Sequence, residues 1–146
     1  MNSVACAVLV NCIDFYNISI YNYSMSIRTG LGRNLSFISI NTAASAGDYG
    51  LIPAPSGADI NKKIKVVSYC LTANNNVSVQ WKSGNTPLSG SMRLSNSGSS
   101  SICIASEPSS HLLETAINAT LVLNVGSNFS IGGHLSYYLE QSVSYS

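Results

Sequence analysis

The sequence predicts an all-β fold, an antiparallel β-sandwich or jelly-roll-like barrel with an extended N-terminal arm. Three observations point there. Val77, Val79 and Trp81 alternate with Ser78, Gln80 and Lys82, and the same period returns at Leu121, Leu123 and Val125 and at Leu135, Tyr137 and Leu139. Successive strand side chains point to opposite faces, so each run has one apolar face and one wet one. Gly, Asn, Ser and Pro separate such runs from Lys62 to Glu140, and several short strands at this spacing indicate a sandwich or a barrel.

Residues 1–34 read as an N-terminal arm or as edge strands, and residues 35–146 as the β-sandwich domain. Phe15, Tyr16, Tyr21 and Tyr23 make the start aromatic, and Arg28-Thr29-Gly30-Leu31-Gly32-Arg33 follows. Ile18 and Ile20 share one phase while Tyr21, Tyr23, Met25 and Ile27 share the other, so a continuous strand here needs a bulge near Ile20, and two short strands are the alternative. Such a segment pairs either with a neighbouring subunit or with its own sheet as an extra edge strand.

The body begins at Leu35, where Phe37, Ile38 and Ile40 form a strand before a turn at Ala46 to Asp48. Pro53, Pro55 and Gly57 mark an irregular crossing. Lys62 to Thr72 is a long interior strand, and Ile64, Val66, Val67, Tyr69 and Leu71 suggest burial on more than one face near its centre. Asn74-Asn75-Asn76 tolerate left-handed backbone, so Val77 to Lys82 is expected to fold back as a hairpin. Met92 and Leu94 start another strand, Ser95 to Ser100 is a polar loop, and Ile102 and Ile104 resume the pattern. Glu107 to Asn118 holds one helical turn around Leu112 and Leu113 or, equally, a loop. Thr120 to Val125 and Ile131 to Val143 are the last strands, and Gly132-Gly133 permits a bulge or a close approach by another backbone.

The chain has 146 residues, enough for one domain with a core of its own. Apolar residues make up 45% and charged ones only 9%, against roughly 25% charged in ordinary soluble domains. Hydroxyls and amides must carry solubility. A formal charge of +1 is too small to draw in nucleic acid, and a near-neutral surface favours self-association. Val4 to Val10 is too short to span a bilayer and lacks the basic start of a secretory signal. The Asn-X-Ser/Thr sites at Asn17, Asn22, Asn34, Asn76, Asn118 and Asn128 are expected by coincidence in a chain so rich in Asn and Ser.

Little in the sequence looks like catalysis or metal binding. Cys6, Cys12, Cys70 and Cys103 form no CxxC pair and no zinc spacing with histidine. Cys70 and Cys103 read as small buried hydrophobes, with a disulfide as the alternative. His111 and Glu114 have a spacing that brings side chains together on a helix, which this segment does not clearly offer. Gly30-Leu31-Gly32 reads as a hinge rather than a nucleotide loop, because no strand-turn-helix unit surrounds it. Arg28 and Arg33 beside it present forked donors suited to a partner's carboxylate or carbonyl. Tyr137 shares the core phase of Leu135 and Leu139. Tyr138 faces the other way with His134 and Glu140, as a surface aromatic. The candidate partner-binding residues are therefore Tyr16, Tyr21, Tyr23, Arg28, Arg33 and Tyr138, with no catalytic residue, cofactor or metal.

The run Lys65-Val66-Val67-Ser68-Tyr69-Cys70-Leu71-Thr72-Ala73 is followed in order by four further segments: Val77-Ser78-Val79-Gln80-Trp81-Lys82-Ser83-Gly84, Leu88-Ser89-Gly90-Ser91-Met92, Leu113-Glu114-Thr115 and Leu121-Val122-Leu123-Asn124. Gly132-Gly133-His134-Leu135-Ser136-Tyr137 closes the series. In this order the stretch from Ile64 to Glu140, about half the chain, resembles a small β-domain that recurs in virion proteins of tailed bacteriophages. Proteins of that kind are head decoration or cement proteins, or parts of tails and fibres. The resemblance implies a structural role without choosing among those positions, and the leading expectation is a non-enzymatic capsid decoration protein on the outer surface of the capsid, made in the host cytoplasm. Its partners would be the major capsid protein of the phage head, whose subunits it bridges, and its own copies, with a trimer favoured slightly over a dimer. No nucleic acid and no membrane are expected. A tail, fibre or baseplate domain is the alternative role, and a carbohydrate-binding module using Tyr138 is the alternative of another class. The long aromatic start and the scarcity of charge depart from the general pattern.

Overall fold

Eleven strands alternate between two antiparallel sheets in a computed structural model that describes residues 27–28, 34–95, 100–107 and 109–142. The first sheet runs β1 (Ile27–Arg28), β2 (Asn34–Asn41), β11 (Ile131–Gln141), β4 (Lys62–Ala73), β8 (Ser100–Ala105), with β9 (Leu113–Glu114) also pairing with β4. The second runs β3 (Gly47–Ile52), β10 (Leu121–Val125), β5 (Val77–Ser83), β6 (Thr86–Pro87), with β7 (Met92–Leu94) also on β5. Among the described residues the one helical piece is the 3-10 turn Gly57–Asp59. The sheets pack face to face without closing into a barrel, so the sandwich form of the predicted fold is the one adopted.

Alternation decides what lies between the sheets. Val77, Val79 and Trp81 of β5 and Leu121, Leu123 and Val125 of β10 face Ile64, Leu71, Ile131 and Leu135 of the first sheet in one cluster. Each such side chain contributes roughly 1.5–3 kcal/mol by leaving water. Trp81 is fully buried, and its ring centroid stands 5.1 Å from that of Tyr69. Its indole N–H meets no hydrogen-bond acceptor of good geometry among the described residues.

The doubly apolar centre of β4 has a geometric cause. Ile64 and Val66 reach the core, as do Tyr69, Leu71 and Ala73, yet the two sets differ in phase by one residue. The register with β11 passes from Ser136 opposite Ser68 to Tyr137 opposite Val66, leaving Val67 as the extra residue of a bulge. A run that looked apolar on two faces is one inward face interrupted by that bulge.

Two expectations need correction. Val77 to Lys82 does not form a hairpin with β4, because one edge of β4 is taken by β11 and the other by β8 and β9. The Asn74 to Asn76 link therefore carries the chain across to the second sheet, where β5 pairs with β10, β6 and β7. The second is the segment after Ala46, which is a strand: β3 pairs with β10 from Gly47 to Ile52 through a register shift. Two glycines and that shift hid its alternation.

Gly133 is the tightest point of the β4–β11 pairing. Its φ is +144°, and a Cβ there would lie 1.9 Å from the Cys70 carbonyl oxygen. The close backbone approach read from the Gly pair is thus real at Gly133, whereas a Cβ on Gly132 would meet only the Thr72 hydroxyl at 3.2 Å. Gly133→Ala is expected to lower unfolding free energy by about 3 kcal/mol or more, and Gly132→Ala by about 1 kcal/mol or less. Urea denaturation of the two variants measures the contrast, and equal losses would refute it.

Candidate interaction surface

Charge is scarce in this chain, so its placement is informative. Asn61 and Asn118 both adopt positive φ, 65° and 54°, and the Asn61 N–H donates to the Asn118 side-chain oxygen at 2.8 Å. This contact ties two turns together at one end of the sandwich. The residues just before them, Ile60 and Ile117, are 55% and 46% exposed. Two large apolar side chains are thus held on rigid turns in solvent.

On the outward face of the first sheet, Lys63 and Lys65 alternate with the inward Ile64 and Val66. Glu114 of β9 lies opposite Lys65, and Glu140 of β11 opposite Lys63. Glu114 binds the Lys63 ammonium directly and Lys65 at 3.2 Å, while Lys65 also binds Glu140. His111 Nε2 stands 3.3 Å from Glu114. The His-X-X-Glu pair therefore meets without a helix, because the chain enters β9 with the imidazole turned back over the carboxylate. On the second sheet Asp48 accepts hydrogen bonds from Lys82 at 2.7 Å and from Asn124 at 2.6 Å. Lys62 pairs with Asp59 at 2.6 Å, so all four lysines of the chain are tied to its own carboxylates.

These contacts set the titration of the network. The Lys63 hydrogen bond holds the Glu114 carboxyl below its ordinary 4.5, against the opposing effect of burial. Burial alone would lower Lys65, but hydrogen bonds to Glu140 and Glu114 override it and leave the ammonium above its ordinary 10.5. The hydrogen bond from Lys82 likewise lowers Asp48.

Cys70 and Cys103 are a directly opposed pair on β4 and β8, joined by a disulfide with Cα atoms 4.0 Å apart. Cys103 is exposed, so the reading of two buried free thiols is corrected. Both side chains sit on the outward face, opposite in phase to the core residues Leu71 and Tyr69.

Of the residues singled out for partner contact, Tyr16, Tyr21, Tyr23 and Arg33 lie outside the described residues, as do Cys6, Cys12 and the Gly30-Leu31-Gly32 stretch. Arg28 takes its backbone place opposite Asn34 in the β1–β2 pairing. Tyr138 does lie out of phase with the core, but it is only 3% exposed, so the expectation of an open aromatic platform is corrected. Tyr137 packs against the core as its phase requires. Sequence reading missed the Lys63–Glu114–Lys65–Glu140 network and the Ile60/Ile117 pair. The available signal was three lysines within four positions of a chain with 9% charged residues. Among the described residues no helix is long and apolar enough to cross a membrane.

No family model matches the chain, and no curated protein matches it significantly. Among solved structures it is similar to the cryo-EM structure of the giant freshwater prawn Macrobrachium rosenbergii extra small virus (XSV) VLP. The identity is 12%, over 84% of this chain and 89% of that chain, with a TM-score of 0.39. A likeness this loose bears on neither fold nor role.

Two outcomes are expected. Because Cys70 and Cys103 are separated by 33 residues, opening their link by reduction or Cys103→Ser is expected to cost about 3–4 kcal/mol through loop entropy in the unfolded chain. An unchanged urea midpoint under reductant would contradict this. Glu114 contributes stability that is complete above its ordinary value and is lost as pH falls through its lower folded value. Lys65 contributes stability that is complete below its ordinary value and is lost as pH rises through its higher folded value. Wild type should exceed Glu114→Gln by on the order of 1 kcal/mol at neutral pH, with the gap closing on acidification. Denaturation series at stepped pH would show it, and a gap independent of pH would rule it out.

Proposed function

We propose that the chain is a structural virion protein, specifically a capsid decoration or cement protein that sits on the outside of a phage head and bridges neighbouring major capsid protein subunits. The disposition of charge carries this reading. Interface cores exclude Lys, Glu and Asp, because desolvating an unpaired charge is costly. Here each lysine already has its carboxylate, and Ile60, Ile104 and Ile117 are large apolar side chains left exposed. Burying such a surface against another protein leaves no lysine without its counter-charge. The ordered segments from Lys65 to Tyr137 that resemble phage virion β-domains support a shell as that partner.

The mechanical argument is additive. A stable contact buries about 1,200–2,000 Å² in total. Repeated over every junction of a shell under internal pressure, such contacts raise the work needed to part neighbouring subunits. In this reading residues 1–34 supply much of the contact with the shell, with Tyr16, Tyr21, Tyr23, Arg28 and Arg33 as the contact groups. Copies of the chain also associate with one another, in a closed symmetric arrangement.

The test is co-sedimentation with purified phage shells that lack this protein, comparing the full chain with one lacking residues 1–26. That truncation leaves every described strand of both sheets in place. The full chain is expected to saturate the head lattice, and the truncated chain to remain folded and bind at least about tenfold more weakly. Equal binding by the two chains would contradict the arm's role. Binding confined to tails would replace decoration by a tail or fibre role.

A further inference from the structure

The four lateral edges of the sandwich are not alike. β1 at one edge of the first sheet is two residues long and pairs only with Asn34 and Leu35, so the uncharged remainder of β2 has no strand partner on that side among the described residues. In the second sheet, β3 carries Asp48 and a register shift, β6 contains Pro87, and β7 is a three-residue strand containing Arg93. Charge, proline, shortness and bulges are the devices by which sheet edges resist pairing with other chains. β8 has none of them: Ser100–Ala105 is six residues long, uncharged and pairs with β4 without a register shift.

The direction of its backbone groups follows from one bond. The N–H of Ser106, just past β8, donates to the Val67 carbonyl of β4 at 2.8 Å. In an antiparallel ladder, the N–H and C=O of one residue point to the same side and alternate along the strand. Ile102 and Ile104 therefore direct their backbone groups to β4, and Ser101, Cys103 and Ala105 direct theirs outward. The short Cα separation of Cys70 and Cys103, 4.0 Å, fits a pair that exchanges no hydrogen bonds. Among the described residues the outward groups have no strand partner.

We propose that β8 pairs antiparallel with β8 of a second copy of this chain, about a two-fold axis through Cys103. The strand's own sequence selects this occupant. Ser101-Ile102-Cys103-Ile104-Ala105 is a near-palindrome of small and large side chains about its centre. In that register Cys103 faces Cys103 of the second copy and Ser101 faces its Ala105, each pair exchanging both backbone hydrogen bonds. Ile102 then stands opposite Ile104 of the other copy in the closely spaced pairs, where cross-strand side chains touch best. Both isoleucines share the phase of the core residues Leu71 and Tyr69, so the contact extends the apolar layer across the axis and covers Ile104, which is 43% exposed. A one-residue slip would set isoleucine on the wrong face. The pairing is independent of where on a particle the protein sits, and it assigns a dimeric contact where the sequence slightly favoured a trimer.

The register makes a test that separates this occupant from any other. Ser101 and Ala105 are exposed, and they oppose Thr72 and Ser68 on β4, so charges there leave the fold intact. The double variant S101K/A105K places like charges opposite each other across the axis, whereas S101E/A105K places opposite charges there. Sedimentation equilibrium of the full chain is expected to show a wild-type dimer that S101K/A105K weakens by about tenfold or more in Kd and S101E/A105K restores to within about threefold. Circular dichroism should be the same for all three. A wild-type monomer at the highest soluble concentration overturns the proposal. So do equal effects of the two variants, whether both dissociate or neither does, since another segment or another protein would then hold the edge.

Discussion

The long antiparallel pairing of β4 with β11 is the constraint from which the remaining architecture follows. It runs from Ile131 opposite Ala73 to Gln141 opposite Lys62, and it is possible only because Gly133 lets the Cys70 carbonyl approach where any Cβ would block it. With β11 on one edge and β8 and β9 on the other, β4 has no edge left for its neighbour in sequence. The chain must cross to the second sheet at Asn74 to Asn76, and that crossing makes a sandwich rather than a meander.

Strands with clean alternation were legible from the sequence. Val77 to Trp81, Leu121 to Val125 and Leu135 to Leu139 each have one face buried in the common core, as their period demands. Their pairing was not legible, since local turn chemistry at the three asparagines says nothing about which edges of β4 are free. Val67 shows a second limit: a bulge puts two apolar neighbours in succession, and a single sequence read at period two reports that as two buried faces. β3 shows a third, because Gly47 and Gly50 contribute no side chain to the pattern. At the surface, phase located Tyr138 out of step with the core but could not report that its ring is covered.

The same economy governs the surface. A chain with few charges could have left them as solvated points, but its lysines are all engaged with carboxylates of the same domain. The network on the first sheet joins β4, β9 and β11, so its ion pairs fasten strands as well as removing free charge. The exposed apolar groups, Ile60, Ile104 and Ile117, lie on turns or an edge strand. Rigid scaffold, neutral faces and isolated apolar contacts together describe a body suited to being held between other proteins.

That claim is tested most directly by imaging purified particles that carry this chain and locating it at a resolution that shows the sheets. The account predicts repeated two-sheet densities on the outside of the head, each touching more than one major capsid protein subunit. Density confined to the tail would contradict it.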